Sequence, residues 1–147
     1  MTNHTQFSNE EEKLKSLAKQ VYETWDKALA ENDIQGLLNL YAPDALLESP
    51  LIPYLLKVDS GVISGKEALL SFIEKIAARK PVIRKYFKQN FFTDGKTLIF
   101  EYPRQSPEGE QMDFVEIMEI ENGLIHYHRV YWGWRGVKVI QEDSYYR

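Results

Sequence analysis

Residues 111–134 read Gln-Met-Asp-Phe-Val-Glu-Ile-Met-Glu-Ile-Glu-Asn-Gly-Leu-Ile-His-Tyr-His-Arg-Val-Tyr-Trp-Gly-Trp. Two alternating runs flank Asn122-Gly123, a strong short-range hairpin signal. Successive side chains of a strand point to opposite faces. In the first run one face takes Met112, Phe114, Glu116, Met118 and Ile120, and the other takes Asp113, Val115, Ile117, Glu119 and Glu121. The first face is apolar except for Glu116, so it is the face expected to meet the core. A carboxylate buried there needs a donor or a proton. Such groups concentrate at functional sites, although structural ion pairs give the same pattern.

The second run puts His126, His128, Val130, Trp132 and Trp134 on one face, and Ile125, Tyr127, Arg129 and Tyr131 on the other. The turn sets which face meets Glu116. A two-residue turn pairs Ile120 with Ile125 and puts Glu116 opposite Arg129, an ionised structural pair. A three-residue loop with Gly123 in a bulge pairs Ile120 with Leu124 and puts Glu116 opposite His128. Glutamate beside histidine in a pocket is a proton-handling pair. The two histidines lack a third ligand at useful spacing, so no metal site is expected.

Working back from the hairpin, Thr97–Arg104 reads as another strand after the Asp94-Gly95 turn. The stretch 82–92 is rich in aromatic and β-branched residues, and Ser106-Pro107-Glu108-Gly109 reads as a looser turn. Helical signals dominate the first half. Ser8 and Glu11 form a capping box ahead of Leu14, Leu17, Ala18, Val21, Tyr22, Trp25, Ala28 and Leu29, which follow a 3.6-residue period. Asp33 can cap a short helix through Ile34, Leu37, Leu38 and Tyr41, stopped by Pro43. Ala45–Ser49 reads as a strand. Pro50 and Pro53 open an irregular stretch up to about Gly61. Ser64 and Glu67 cap a further helix through Ala68, Leu69, Phe72, Ile73, Ile76 and Ala77, which ends before Pro81. Helices followed by an antiparallel meander predict an α+β fold, with helices covering one face of a curved sheet.

The chain has 147 residues, enough for one domain, with residues 1–8 expected as a loose tail and 9–147 as the domain. Its 18 Lys+Arg against 22 Asp+Glu give a net charge of −4, which argues against nucleic acid as a partner. With no cysteine, disulfides and thiolate chemistry are excluded. No signal-like N-terminus and no ~20-residue apolar run is seen, so no membrane partner and a cytoplasmic location are expected. The aromatic content is high, with 3 Trp, 9 Tyr and 7 Phe, and most of it follows residue 80.

These elements together resemble the nuclear transport factor 2-like (NTF2-like) superfamily, in particular its SnoaL-like polyketide cyclase and ketosteroid isomerase-like branch. The resemblance runs over about residues 10–134. It is carried by the long helix with Trp25, by residues 33–45 (Asp-Ile-Gln-Gly-Leu-Leu-Asn-Leu-Tyr-Ala-Pro-Asp-Ala), by Glu48-Ser49-Pro50, by residues 63–69 and by the closing hairpin. It implies a cone, in which a curved antiparallel sheet wraps the long helix and two shorter ones and leaves a pocket at the open end. In ketosteroid isomerase, a worked case of carboxyl tuning, an aspartate base works with a tyrosine and a protonated aspartate. By position these fall on Ser49, Trp25 and Glu116, and only the last is still a carboxyl group. A hydroxyl does not replace a carboxylate base, so steroid isomerisation is not expected. The resemblance favours the bulged turn and puts His128, Val130 and Trp132 in the pocket, with Glu116 beside His128.

Two functions follow. The first is an isomerase, cyclase or hydratase without a cofactor. Glu116 and His128 would move a proton, and Trp25, Met112, Phe114, Met118, Val130 and Trp132 would hold a small hydrophobic molecule. Ser49 or Tyr22 would orient its polar group. The second is a non-catalytic binding or dimerisation module with a structural Glu116 pair. A cone filled by Phe114, Trp132 and Trp134, with no cavity of about 300 Å³, would remove the small-molecule reading. The outer face carries Val115, Ile117, Ile125, Tyr127, Arg129 and Tyr131, more apolar surface than a wet sheet normally shows. A two-fold homodimer through the sheets is expected, as the resemblance also implies, with Tyr145-Tyr146-Arg147 packed across the sheet or the partner.

Overall fold

The chain begins as one long helix, α1 (Asn3–Glu31), in a computed structural model that describes residues 3–78, 90–101, 104–105 and 111–142. The helix starts earlier than the cap expected at Ser8, but its apolar stripe is as read. Ala18, Val21, Tyr22, Trp25, Ala28 and Leu29 are buried. Asn32 leaves the helix in the left-handed region, and Asp33 caps α2 (Ile34–Leu38) by accepting from the Gly36 amide at 2.8 Å.

α2 stops at Leu38 rather than reaching Tyr41. Pro43 biases Ala42 towards extended backbone, and β1 (Tyr41–Glu48) starts there. The stretch expected to be irregular contains α3 (Leu51–Leu56). Pro53 lies in its first turn, where an amide has no intrahelical acceptor, so the ring costs no hydrogen bond. β2 (Val62–Ser64) returns antiparallel to β1, and α4 (Lys66–Ala78) follows, burying Leu69, Phe72 and Ile73.

The second half supplies β3 (Phe91–Thr93), β4 (Thr97–Glu101), β5 (Arg104–Gln105), β6 (Gln111–Met112), β7 (Phe114–Glu121) and β8 (Leu124–Trp132), then α5 (Trp134–Gln141). The main sheet runs β2-β1-β8-β7-β4-β3. Four late strands form the expected meander, and the sheet is mixed at one place, where β1 lies parallel to β8. The fold is an α+β, NTF2-like arrangement: a curved, open six-stranded sheet with a long N-terminal helix. Residues 82–89 of the aromatic stretch, the turn at 106–109 and the Tyr145-Tyr146-Arg147 end lie outside the described residues. Among the described residues, no helix is long and apolar enough to cross a membrane.

The β7–β8 register differs from both readings of the sequence. The turn is the tight two-residue one, with Ile120 opposite Ile125 and Asn122 and Gly123 both at positive φ. Glu116 nevertheless does not meet Arg129. The ladder slips after Ile120, where Glu119 pairs with Tyr127 and His126 becomes the extra residue of a bulge. The bulge turns the rest of β8 over, so Ile125 is fully buried while Tyr127 joins the outer face.

Candidate functional site

Glu116 lies mid-strand on β7, opposite Val130 on β8 and Phe100 on β4. His128 is opposite Met118, which makes it the diagonal neighbour of Glu116 on the same face. They are the buried ionisable pair of the core, at 5% and 3% exposure, and His128 Nε2 is 2.5 Å from Glu116 Oε2. Arg129, the alternative partner, points to the other face and contacts Glu119 at 3.3 Å.

A third residue completes the pair. Tyr41, the first residue of β1, has its phenol oxygen 2.8 Å from His128 Nδ1. The Trp25 indole hydrogen-bonds the same phenol. Burial pushes the Tyr41 phenol above its ordinary range, and the negative charge of Glu116 adds to this.

Proton positions follow from counting donors. An indole only donates, so Trp25 gives its N–H to the Tyr41 oxygen. Tyr41 then has one proton to give, and His128 Nδ1 is its acceptor. His128 must therefore carry its proton on Nε2, which donates to Glu116. The opposite tautomer would send two N–H groups to the phenol and leave the phenol's own proton without an acceptor among the described residues. The chosen arrangement uses every group once and makes Glu116 Oε2 the acceptor of the His128 proton. Its other oxygen, Oε1, makes no hydrogen bond among the described residues.

Glu116 opens on a cavity of about 90 Å³. Of the residues expected there, Trp25, Ser49, Phe114, Glu116, His128, Val130 and Trp132 line it. Tyr22 and Met118 do not. Tyr22 packs on Phe91 and Phe100 with ring centroids at 4.8 Å, and Met118 is fully buried in the sheet core. The side chain of Met112 lies outside the described residues. Trp134 does not fill the cone either, because α5 begins there and carries it into solvent. The α5 backbone instead backs Trp132, where a Cβ on Gly136 would stand 2.5 Å from the indole.

Sequence reasoning missed Tyr41, which helical spacing assigned to the α2 core stripe. It also missed the opposite wall, built from Leu29, Leu37, Leu47, Leu51, Phe72, Ile73 and Ile76. Helical periodicity identifies such residues as inward-facing but does not separate core from cavity wall.

Ser49 follows the last residue of β1 at the cavity. Its Oγ accepts from the Leu51 amide at 3.2 Å, and its backbone N–H donates to the Gly61 carbonyl at 2.9 Å. The hydroxyl proton has no acceptor among the described residues. Among the described residues the lining is thus largely apolar, and its polar groups include the Glu116 carboxyl and the Ser49 hydroxyl. Among the described residues, no three His, Cys, Asp or Glu side chains cluster as metal ligands.

The same architecture recurs in solved structures. An NTF2-like protein from Anabaena variabilis aligns at 18% identity over 80% of this chain and 87% of its own, with a TM-score of 0.66. A SnoaL-like protein of unknown function from Burkholderia thailandensis aligns at 17% identity over 80% and 95%, at 0.65. A Kribbella flavida protein provisionally named a ketosteroid isomerase aligns at 17% over 80% and 78%, at 0.64. At such identities the likeness shows the fold alone. A search of curated proteins gave no match. The sequence itself carries the family pattern through α1, the sheet and the Glu116–His128 hairpin: residues 20–128 match the SnoaL-like domain, and the chain belongs to that family.

Proposed function

We propose that the cavity binds a small, mostly apolar molecule bearing a carbonyl-type oxygen, and that Glu116 moves a proton on it. The observation that carries this reading is the divided role of the Glu116 carboxylate. Oε2 is held by the His128–Tyr41–Trp25 relay, while Oε1 makes no hydrogen bond among the described residues and Glu116 lines the cavity. Ser49 O–H would hold the ligand oxygen. Glu116 would take a proton from the adjacent carbon, the charge would pass to the oxygen at Ser49, and the protonated Glu116 would return the proton elsewhere. Isomerisation, cyclisation and hydration all use such a step. His128 and Tyr41 keep the carboxylate aimed.

The cavity of about 90 Å³ falls short of the roughly 300 Å³ expected of a small-molecule site, although Trp134, expected in a filled cone, stands in solvent. The ligand is therefore a few heavy atoms across, or it extends past Trp132 at the wall. The same small volume favours the second reading, a non-catalytic module in which Glu116 and His128 satisfy each other. Exchange of the α-protons of butanone in deuterated water, followed by NMR, separates the two. In the first reading the protein accelerates exchange, and Glu116→Gln removes about 10²–10⁴-fold while unfolding stays cooperative. No acceleration, with Glu116→Gln altering stability alone, leaves the binding module.

We also propose a homodimer through the outer sheet face, where Val115, Ile117, Tyr127, Arg129 and Tyr131 lie together.

A further inference from the structure

A second, smaller cavity of about 30 Å³ lies beside the first. Leu29, Leu37, Ile73 and Ile76 line both, so these four side chains are the partition between them. Beyond the partition stand Ile34 and Ala77, with Asn32 the sole polar residue among the described residues lining the space. Glu116, His128, Ser49 and Tyr41 all belong to the larger cavity and none lines the smaller. The volume exceeds the roughly 10–15 Å³ that admits a water. A buried water needs two to four polar partners, however, and among the described residues this lining offers one. The space suits hydrocarbon.

We infer that the smaller cavity is a tail subsite, so that the ligand has a polar head at Ser49 and Glu116 and an unbranched alkyl chain directed between α1, α2 and α4. This rests on the larger cavity being the ligand site proposed above. Only a thin chain passes between four packed side chains, which excludes a ring or a branch at that depth. Ile76 is the half-buried member of the partition, while Leu29, Leu37 and Ile73 are buried. It has the most room to swing aside and join the two spaces. The joined site is long and narrow, which reconciles a small head cavity with a larger ligand.

The test uses straight-chain methyl ketones from butanone to nonanone, with affinity measured by NMR titration. In the wild-type protein each added methylene should tighten binding about fourfold until the smaller cavity is full, after which the series levels off. Ala77→Leu fills that cavity from α4, and Ile34→Phe fills it from α2. Each should move the break to a shorter chain, and either one suffices if the other fails to fold. Ile76→Ala should move the break to a longer chain. A break at the same length in the wild type and in a folded filler variant overturns the subsite, as does the absence of ketone binding at any length. Glu116→Gln keeps the two proposals apart. Loss of exchange with the chain-length series intact leaves the subsite standing, and exchange without a chain-length series leaves only the proton-transfer reading.

Discussion

The phenol of Tyr41 stands 2.8 Å from Nδ1 of His128, a contact that spans 87 residues of sequence and fixes which imidazole nitrogen faces Glu116. The parallel pairing of β1 with β8 makes the contact possible, because it sets Tyr41 opposite Ile125, three residues before His128 on the same strand. Without Tyr41, either nitrogen could carry the proton, and the Glu116 carboxylate would lose its fixed donor.

Tyr41→Phe should therefore destabilise the fold. It removes one hydroxyl and strands two buried groups, the Trp25 N–H and His128 Nδ1. An unsatisfied buried polar group costs about 1–3 kcal/mol, and the surroundings relax in part, so a loss of about 2 kcal/mol is expected in urea unfolding. Proton exchange on butanone should slow less than in Glu116→Gln, because the base itself remains. A stability change within about 0.5 kcal/mol, the usual range of a surface substitution, would show that the relay holds nothing together.

The same residue sets an alkaline limit. Burial and then the Glu116 charge raise the Tyr41 phenol above its ordinary 10.0. A raised value means that the folded state holds the proton more tightly than the unfolded chain does. The stabilisation is complete below about pH 10 and is lost as pH climbs from there towards the folded value. Tyrosinate absorbance of the folded protein near pH 10 should thus be the same in the wild type and in Tyr41→Phe. The stability gap between them should narrow above that pH. A tyrosinate signal missing from the variant near pH 10 would mean that Tyr41 ionises normally.

Much of this site was legible from residues 111–134 alone. Alternation marked Glu116 as a carboxylate on an apolar face, and the face proved buried. What alternation could not supply was the bulge. A bulge adds one residue without demanding a particular side chain at this place, and His126 carries no mark of it. The expected neighbour, His128, was reached by a different route, through a tight turn followed by a slip. Tyr41 was hidden for another reason. Its spacing continued the α2 stripe, and its partners lie on other elements distant in sequence. Pro53 misled in the opposite direction, since a proline in the first turn of a helix looks the same in sequence as one in a loop.

The Asp94-Gly95 turn offers an acid-side test. The Asp94 carboxylate accepts from the Thr97 amide at 2.8 Å and the Lys96 amide at 2.9 Å. These backbone donors hold its carboxyl below the ordinary 3.8. A lowered value stabilises the fold above the ordinary value, and this stabilisation disappears as pH falls through the folded one. Asp94→Ala should lower the unfolding midpoint at neutral pH and lose that deficit in acid. A deficit constant with pH would assign the effect to backbone propensity instead.

Gly95 in the same turn is needed twice. Its φ is +93°, and a Cβ there would sit 2.6 Å from Leu14 Cβ on α1. Side chains rarely adopt that backbone region, and α1 blocks the space in any case. Gly95→Ala should cost about 2 kcal/mol, within the range of strain at a special φ together with overpacking. A neutral result in thermal unfolding would mean that the turn is not docked on the helix.

The outer face gives the last prediction. Register places Phe92, Ile99, Ile117, Arg129, Glu48 and Val62 in one row across all six strands. Phe92 is 72% exposed and Tyr131, in the neighbouring row, is 50% exposed. Apolar side chains thus run from the β3 edge to the middle of the sheet, where the row turns to a guanidinium and a carboxylate side by side. Under a two-fold axis such a row can cover its own apolar end and set Arg129 against a carboxylate of the other copy. Ile117→Asp puts a charge at the centre of this surface without entering the cavity side of the sheet. Sedimentation equilibrium should give a dimer for the wild type and a monomer for Ile117→Asp, with the ketone series unchanged. A wild-type mass that stays monomeric at all concentrations would leave the row as bare surface, and a variant that stays dimeric would move the interface elsewhere.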